Sequence, residues 1–525
     1  MGRRAVDTVA DAILSGAERA PDNVFVTFQG EKRTYKETFL RAESVARGLK
    51  SIGIRRGDRV ALFLPNCLEF IDVWFASALL GSVIVPINPE LKGESLRFII
   101  EHARISAIIL PAGVVRTLLE PIWSKGLSPY IITIGEMEQR YLEGTIMMEW
   151  KNLLHVGGTL QRVKINPEDV LGILYTSGTT GLPKGVKLPH YCYCNTGSEI
   201  VRHLGIDSSD IWMTTLPLFH CNAQQFTVMG TLMGGGSVSL EPRFSARRFW
   251  QAAVKSEVTV ASFIGSLLYM LLSQPAGPYD TSHQIRFMVG GPAPKNIFHA
   301  FEERFHVRLV EGYGLTETAT VCLLNPRDVP RPGSCGKPLS YTEVQVVDDQ
   351  DQPVSPGSLG EIVTRANHPL AFCSGYFRNE DATANLFRNG WLRTGDLGTV
   401  DQDGYFYFLD RLKDCIRRRG ENISSQQLEH LLSGYAGIME VAAYGIPCEL
   451  GEEDVAVAVV ADIEKFNVAK FAQWCRETLP GYMVPRFIRV ISSLPKTPTH
   501  RVKKNLLREQ GVSDSWDRTL HADFK

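Results

Sequence analysis

The segment Tyr175-Thr176-Ser177-Gly178-Thr179-Thr180-Gly181-Leu182-Pro183-Lys184-Gly185-Val186 brings three glycines, four aliphatic hydroxyls and one lysine together directly after an apolar strand candidate, Leu171–Tyr175. Glycine lets a backbone turn tightly and approach a ligand closely. Hydroxyls and exposed N–H groups can then surround phosphate oxygens as anion-binding nests do, and Lys184 adds a point charge. The nucleotide loop that ends in Gly-Lys-Ser/Thr is excluded, because Lys184 lies between Pro183 and Gly185. A plain Gly/Thr turn accounts for two or three of these residues but not for the whole string.

Further strings follow: Leu216-Pro217-Leu218-Phe219-His220, Gly290-Gly291-Pro292, Tyr313-Gly314-Leu315-Thr316-Glu317, Thr394-Gly395-Asp396, Asp410-Arg411-Leu412-Lys413-Asp414, Arg419-Gly420-Glu421-Asn422-Ile423 and Leu494-Pro495-Lys496-Thr497-Pro498-Thr499. Their order and spacing over most of the chain resemble the acyl-adenylating superfamily of acyl- and aryl-CoA ligases, non-ribosomal adenylation domains and firefly-type luciferases. Locally, Phe244-Ser245-Ala246-Arg247-Arg248-Phe249-Trp250 resembles the bacterial carnitine/crotonobetaine-CoA ligase branch.

The resemblance implies that a carboxylate attacks the α-phosphate of ATP, giving an acyl-adenylate and pyrophosphate. Both reactants are anions, so cations and positioned donors must offset their repulsion. Mg²⁺ is the implied counterion, held by phosphates and one carboxylate; by resemblance that carboxylate is Glu317. Thr316 would touch the α-phosphate. Thr176, Ser177, Gly178, Thr179, Thr180, Gly181 and Lys184 would hold the β- and γ-phosphates. Asp396, an acceptor-only carboxylate, matches the ribose-binding acid, with Arg411 reaching the ribose or phosphate region. Gly291, Pro292, Glu311, Gly312 and Tyr313 match the adenine-stacking region. His220 would stand beside the acyl carboxylate as a gate rather than a general base. Asn222, Gln224, Ser262, Gly265, Gly290 and Gly314 are implied pocket walls, and the two amides hint at a polar acid.

For the second half-reaction the resemblance implies CoA as acceptor and a C-terminal domain that swings about a hinge. Lys413 takes the hinge position and Gly420 the glycine beside the pantetheine tunnel. The run Arg417-Arg418-Arg419 is either a seat for CoA phosphates or a solvated charged face.

One departure stands out. The family's adenylation lysine follows a Thr/Ser-Gly pair, but this chain reads Thr499-His500-Arg501-Val502-Lys503-Lys504. Arg501 takes the lysine's place and His500 the glycine's. Arginine keeps the charge on a longer, planar fork; alternatively Lys503 reaches in after a local shift, or adenylation is slow.

The elements that must position these residues alternate in type. Strand candidates Arg59–Leu64, Ser82–Ile87, Ala107–Leu110, Ile211–Leu216, Val238–Leu240 and Phe287–Val289 interleave with helix candidates Glu69–Leu80 and Gly93–Ala103. That rhythm predicts βαβ units and mostly parallel sheets. After Gly336, Val344–Val347, Gly360–Thr364 and Gly404–Leu409 predict a small β subdomain. Ser425–Leu432, Val441–Tyr444, Val455–Val460, Val468–Thr478 and Phe487–Ile491 predict a compact α+β unit. The expected class is therefore α/β. A large N-terminal domain (1–409, with its β subdomain at about 336–409) of mostly parallel sheets flanked by helices precedes a hinge at 410–413 and a mobile α+β C-terminal domain (414–525).

Composition is that of a globular protein: 525 residues, 44% hydrophobic and 22% charged, with a formal net charge of -1. That balance argues against nucleic acid or an anionic membrane as the main partner. The ten cysteines form no CxxC pair, which suits reduced thiols in a cytoplasmic protein. The amino-terminal residues lack an apolar signal core, and the uncharged run Val258–Tyr279 reads as buried core rather than a transmembrane segment.

The leading expectation is an ATP-dependent, AMP-forming acid–CoA ligase, monomeric or homodimeric, with a small carboxylic acid, ATP and CoA as partners. An adenylating enzyme that passes its acyl group to an amine or a carrier protein is the alternative. A non-catalytic nucleotide-binding relative is the third reading, supported only by Arg501.

Overall fold

The structure, a computed structural model, describes residues 6–115, 129–136, 146–161, 163–176, 183–418, 421–448, 453–462, 466–496 and 502–521. The chain divides into two compact units, one running up to Val344 and returning over Thr364–Leu392, the other taking Gln345–Val363 and Arg393–Lys525.

The first unit is built on two sheets. One runs in spatial order Ile146–Glu149, Tyr130–Ile134, Ala107–Pro111, Arg59–Leu62, Val83–Pro86, Val170–Thr176, Lys184–Pro189. Its neighbours are parallel except the last pair, which is antiparallel. The other has a parallel centre of Arg308–Tyr313, Phe287–Gly290, Val260–Phe263, Ile211–Thr214, Ser237–Leu240 and Val24–Phe28. Antiparallel strands close both of its edges. Runs such as Ala107–Leu110 are buried along their whole length, as strands covered on both faces must be. Helix Leu68–Leu80 is buried at every position but Glu69, which explains an apolar pattern with no polar face. Its one buried acid, Asp72, is met by Arg33 at 2.9 and 3.0 Å.

The expected run of buried core at Val258–Tyr279 holds only in part. Val260–Phe263 is a fully buried strand, but helix Gly265–Leu272 has an outer face on which Tyr269 and Met270 are exposed, and Tyr279 is exposed beyond it. A stretch without charges can still turn one side to water. No helix among the described residues is long and apolar enough to cross a membrane.

In the second unit, the β-hairpin Trp391–Val400 and Phe406–Arg411 sets Asp396 directly opposite Arg411. A four-stranded sheet follows in the order Ile438–Pro447, Glu453–Ala461, Phe487–Val490, Trp516–Asp517. Helices Ser425–Leu432 and Val468–Thr478 supply Leu428, Leu432, Phe471 and Cys475 to the core beneath it. Ile438–Pro447 is longer than expected because it pairs with Glu453–Ala461 along its whole length. None of the ten cysteines is paired in a disulfide.

Candidate active site

The antiparallel pair Val170–Thr176 and Lys184–Pro189 brings Thr176 opposite Lys184, with the Thr176 hydroxyl donating to the Lys184 carbonyl at 3.4 Å. The strand pair thus delivers both ends of the glycine- and hydroxyl-rich segment to one place. Ser177, Gly178, Thr179, Thr180 and Gly181 lie outside the described residues.

Lys184 is half-buried, with Nζ 5.1 Å from the centroid of the Tyr376 ring. The Tyr376 hydroxyl donates to Glu317 Oε1 at 2.8 Å. These contacts join two residues expected from the sequence, Lys184 and Glu317, through one that sequence reasoning missed. Tyr376 follows a Ser-Gly pair, an ordinary turn pattern with no local sign of a role.

Thr316 and Glu317 stand on a tight turn. Leu315 N–H donates to Thr318 Oγ1 at 2.8 Å, and Thr320 N–H to the Leu315 carbonyl at 2.9 Å. Thr320 has φ +85, a costly conformation for a β-branched residue. Its hydroxyl is held by Gln225 Oε1. Gly314 must be glycine, because a Cβ there would lie 2.3 Å from the Thr320 carbonyl oxygen. Thr316 Oγ1 lies 3.7 Å from the sulfur of Cys221, the neighbour of His220. A continuous series of contacts therefore runs from Lys184 through Tyr376, Glu317 and Thr316 to the His220 segment.

His220 is exposed as a residue, but protein packed around its imidazole pushes the pKa down, to about 4, through desolvation. The direction of that shift favours the neutral imidazole. Asn222–Met229 forms a π-helix, a form that recurs at functional sites. Gln224 does not face a ligand: its amide donates to the Leu218 carbonyl at 2.7 Å and accepts from the Tyr193 hydroxyl at 3.0 Å. Ser262 is likewise occupied, by Trp212 Nε1 at 3.0 Å and Thr227 at 2.9 Å. Asn222 differs, since its amide oxygen has no hydrogen-bond partner among the described residues.

Gly290 and Glu311 are parallel-strand partners, which places Gly291-Pro292 beside Gly312-Tyr313. A Cβ on Gly291 would come within 2.4 Å of the Gly312 carbonyl oxygen. Glu311 is 6% exposed, its Oε2 has no partner among the described residues, and burial raises its pKa from 4.5 to about 8. Below pH 4.5 the carboxyl is protonated whether the chain is folded or not. Between 4.5 and 8 only the unfolded chain ionises, so stability falls as pH rises, by up to about 1.4 kcal/mol per unit; above 8 the loss is complete. Glu311→Gln, neutral at every pH, is expected to flatten this slope and to melt higher than the unsubstituted protein at pH 8. Equal slopes in thermal melts of the ligand-free proteins between pH 5 and 8 would contradict the assignment.

In the second unit, Asp396 is 1% exposed and pairs with Arg411 Nε at 2.8 Å. Gly395 takes φ +67 within strand Trp391–Val400, and Thr394 Oγ1 accepts from Asp396 N–H at 3.1 Å. Arg411 also donates to the Thr394 carbonyl at 3.1 Å. Asp410 accepts from Ser425 at 2.6 Å and from the Gln426 N–H at 3.2 Å, at the start of helix Ser425–Leu432. Lys413 belongs to the short turn Leu412–Asp414; its side chain, like Gly420 and Arg501, lies outside what is described. Arg418 is neither a phosphate seat nor part of a solvated face: it is buried, donating to the carbonyls of Tyr482 and Val484 at 3.2 and 2.8 Å. Lys504 is also committed, to Glu429 at 2.8 Å and to Ser425.

Among the described residues no three His, Cys, Asp or Glu side chains cluster as a metal site. Glu317, partly exposed and with one oxygen engaged by Tyr376, fits an ion that takes one protein carboxylate and fills its remaining positions with phosphate oxygens and water.

Residues 15–377 match the AMP-binding enzyme family, and residues 427–501 match the AMP-binding enzyme C-terminal domain. The chain belongs to this family. It is 33% identical over 494 residues to a crotonobetaine/carnitine–CoA ligase of Salmonella paratyphi A, covering 92% of this chain and 95% of that protein. Among solved structures it resembles the O-succinylbenzoate coenzyme A synthetase of Bacillus subtilis in complex with ATP and magnesium ion, at 25% identity and TM-score 0.81 over 94% and 98% of the two chains. It also resembles a fatty acyl CoA synthetase of Mycobacterium tuberculosis, at 27% identity and TM-score 0.72 over 97% and 99%.

Proposed function

We propose that this chain activates a small, polar carboxylic acid as its acyl-adenylate and passes the acyl group to the thiol of CoA. The reaction class is ATP-dependent, AMP-forming acid–CoA ligation, with ATP, Mg²⁺ and CoA as cofactors. In the first step a carboxylate oxygen bonds to the α-phosphorus and pyrophosphate leaves. In the second the thiol sulfur bonds to the acyl carbon, its proton is lost, and AMP leaves.

The contacts linking Lys184, Tyr376, Glu317 and Thr316 carry this reading. Thr176, Lys184 and the hydroxyls between them hold the β- and γ-phosphates, and Thr316 donates to the α-phosphate. Glu317 holds Mg²⁺, which when bound would offset phosphate charge. Gly291, Pro292, Glu311, Gly312 and Tyr313 line the adenine, and Gly314 keeps the backbone beside them clear. Asp396 accepts from the ribose hydroxyls while keeping Arg411 in place. His220, neutral, stands beside the acyl carboxylate, and Arg501 supplies the cation between acid and α-phosphate. Residues 414–525 turn about 410–413 between the two steps, with Lys413 at the pivot and Gly420 leaving room for the thiol. A polar acid is supported by the Salmonella relative and by the unpartnered amide oxygen of Asn222. A cytoplasmic location is supported by ten cysteines none of which is paired in a disulfide.

The test is a panel of acids with ATP, Mg²⁺ and CoA, beginning with crotonobetaine and carnitine and extending to short-chain, aryl and medium-chain acids. AMP and a thioester of matching mass are expected with at least one polar acid. AMP without thioester would move the acceptor to an amine or carrier protein, and no AMP with any acid would overturn the proposal.

A further inference from the structure

We infer that Tyr376 is a positioning residue for the adenylation step, orienting the Glu317 carboxylate with its hydroxyl while seating the Lys184 ammonium on its ring. The inference rests on the reading of Glu317 as the magnesium carboxylate and of Lys184 as a phosphate-binding cation.

A glutamate on a turn has several rotatable bonds and no fixed plane. A hydrogen bond to one oxygen restricts that plane and leaves the other oxygen to a metal, as partners of metal-binding carboxylates commonly do. The Tyr376 hydroxyl makes such a bond, at 2.8 Å to Oε1. A phenol is a neutral donor, so the carboxylate keeps the charge a cation needs.

The same ring solves a second problem. An ion pair between Lys184 and Glu317, which both contact Tyr376, would cancel the two charges, yet none forms among the described residues. Nζ lies over the ring instead, 5.1 Å from its centroid, where the negative face of the aromatic quadrupole attracts a cation. Lys184 is therefore held close while its charge stays available to a phosphate.

The ring can do this because its backbone is fixed on both sides. Tyr376 is 8% exposed and forms an antiparallel bridge with Val186, two residues after Lys184. Phe377 N–H donates to the Gly185 carbonyl at 2.7 Å, and Lys187 N–H to the Gly375 carbonyl at 2.9 Å. Tyr376 N–H donates to Thr383 Oγ1 at 2.9 Å, and Cys373 N–H to the carbonyl of Glu317 itself at 3.0 Å. One short segment is thus tied both to the strand that carries the lysine and to the residue that carries the carboxylate.

The test uses the full-length protein, Mn²⁺ in place of Mg²⁺, and α,β-methylene ATP, which cannot form an adenylate. Mn²⁺ affinity in the nucleotide complex is read by electron paramagnetic resonance. Tyr376→Phe, which removes only the hydroxyl, is expected to weaken Mn²⁺ binding about tenfold, in line with loss of a hydrogen bond to a charged group. Its KM for the acid should stay within about twofold, since on this reading the acid is not held there. Tyr376→Leu is expected to weaken Mn²⁺ similarly and also to raise the metal-free dissociation constant of the analogue several-fold, because the seat of Lys184 is gone. Glu317→Gln is the control. If it weakens Mn²⁺ and Tyr376→Phe does not, the inference falls and the assignment of Glu317 stands. If Glu317→Gln leaves Mn²⁺ binding unchanged, the assignment falls and takes the inference with it.

Discussion

Arg501→Ala is expected to lower acid-dependent exchange of pyrophosphate into ATP by about 10²–10³-fold, the usual cost of removing one charged donor aimed at a developing transition state. Formation of thioester from a supplied acyl-adenylate should change by less than about twofold, because the α-phosphate bond is already made. The split between the half-reactions is the informative part. A general loss of folding would lower both, whereas loss of a cation that bridges two anions lowers one. Lys504 cannot stand in, since the residue is 8% exposed and its ammonium is bound to Glu429 and Ser425. Lys503, at the start of helix Lys504–Glu509, is the remaining nearby cation on that segment. If exchange in Arg501→Ala were unchanged, the role would pass to Lys503. Arg501→Lys, which restores the compact ammonium of the family pattern, is expected to raise adenylation with little effect on thioester formation. Complete loss of pyrophosphate release in Arg501→Lys would refute the positional reading.

The second large effect is on stability. Lys504→Met is expected to destabilise the second unit by about 2–3 kcal/mol, somewhat below the usual cost of breaking a fully buried pair because Glu429 keeps some exposure. Burial raises the Glu429 carboxyl and Lys504 opposes that rise; its Oε1 also accepts the Ala443 N–H at 2.8 Å. Without the lysine the half-buried carboxylate is left with its charge unbalanced, and Ser425, which donates to Asp410, loses the ammonium beside it. Adding Glu429→Leu should recover most of the loss, since an apolar pair of similar volume replaces the ionic one. Chemical denaturation of the single and double variants distinguishes the outcomes: a single variant within about 0.5 kcal/mol of the unsubstituted protein would mean the pair contributes no more than a surface one.

Local signals reached the sequence where the physics is local. Helices Ser425–Leu432 and Val468–Thr478 occur at their expected bounds because Ser424 and Asn467 cap them, accepting from Gln427 and Lys470 N–H. Strand Ile211–Thr214 stops short of the expected Leu216 because Thr214 Oγ1 takes the Leu216 N–H and turns the chain. The types of Lys184, Thr316, Glu317, Asp396 and Arg411 were legible from motif order, and the structure brings the last two into contact and links the first three. Direction was not legible. Gln224 looked like a pocket wall but spends its amide on Leu218 and Tyr193, and Arg418 spends its charge inside the second unit. Tyr376 was invisible for a related reason. Its place depends on a strand register with Val186, formed between segments far apart in sequence, which no local pattern announces.

Transfer of oxygen from acid to nucleotide tests the account most directly. With a turned-over acid carrying ¹⁸O in both carboxylate oxygens, mass spectrometry should find one ¹⁸O in the phosphate of AMP and the other in the thioester carbonyl. Unlabelled AMP, or label in orthophosphate, would mean that the carboxylate never bonds to the α-phosphorus, and the assignment of acyl-adenylate chemistry to this chain would be wrong.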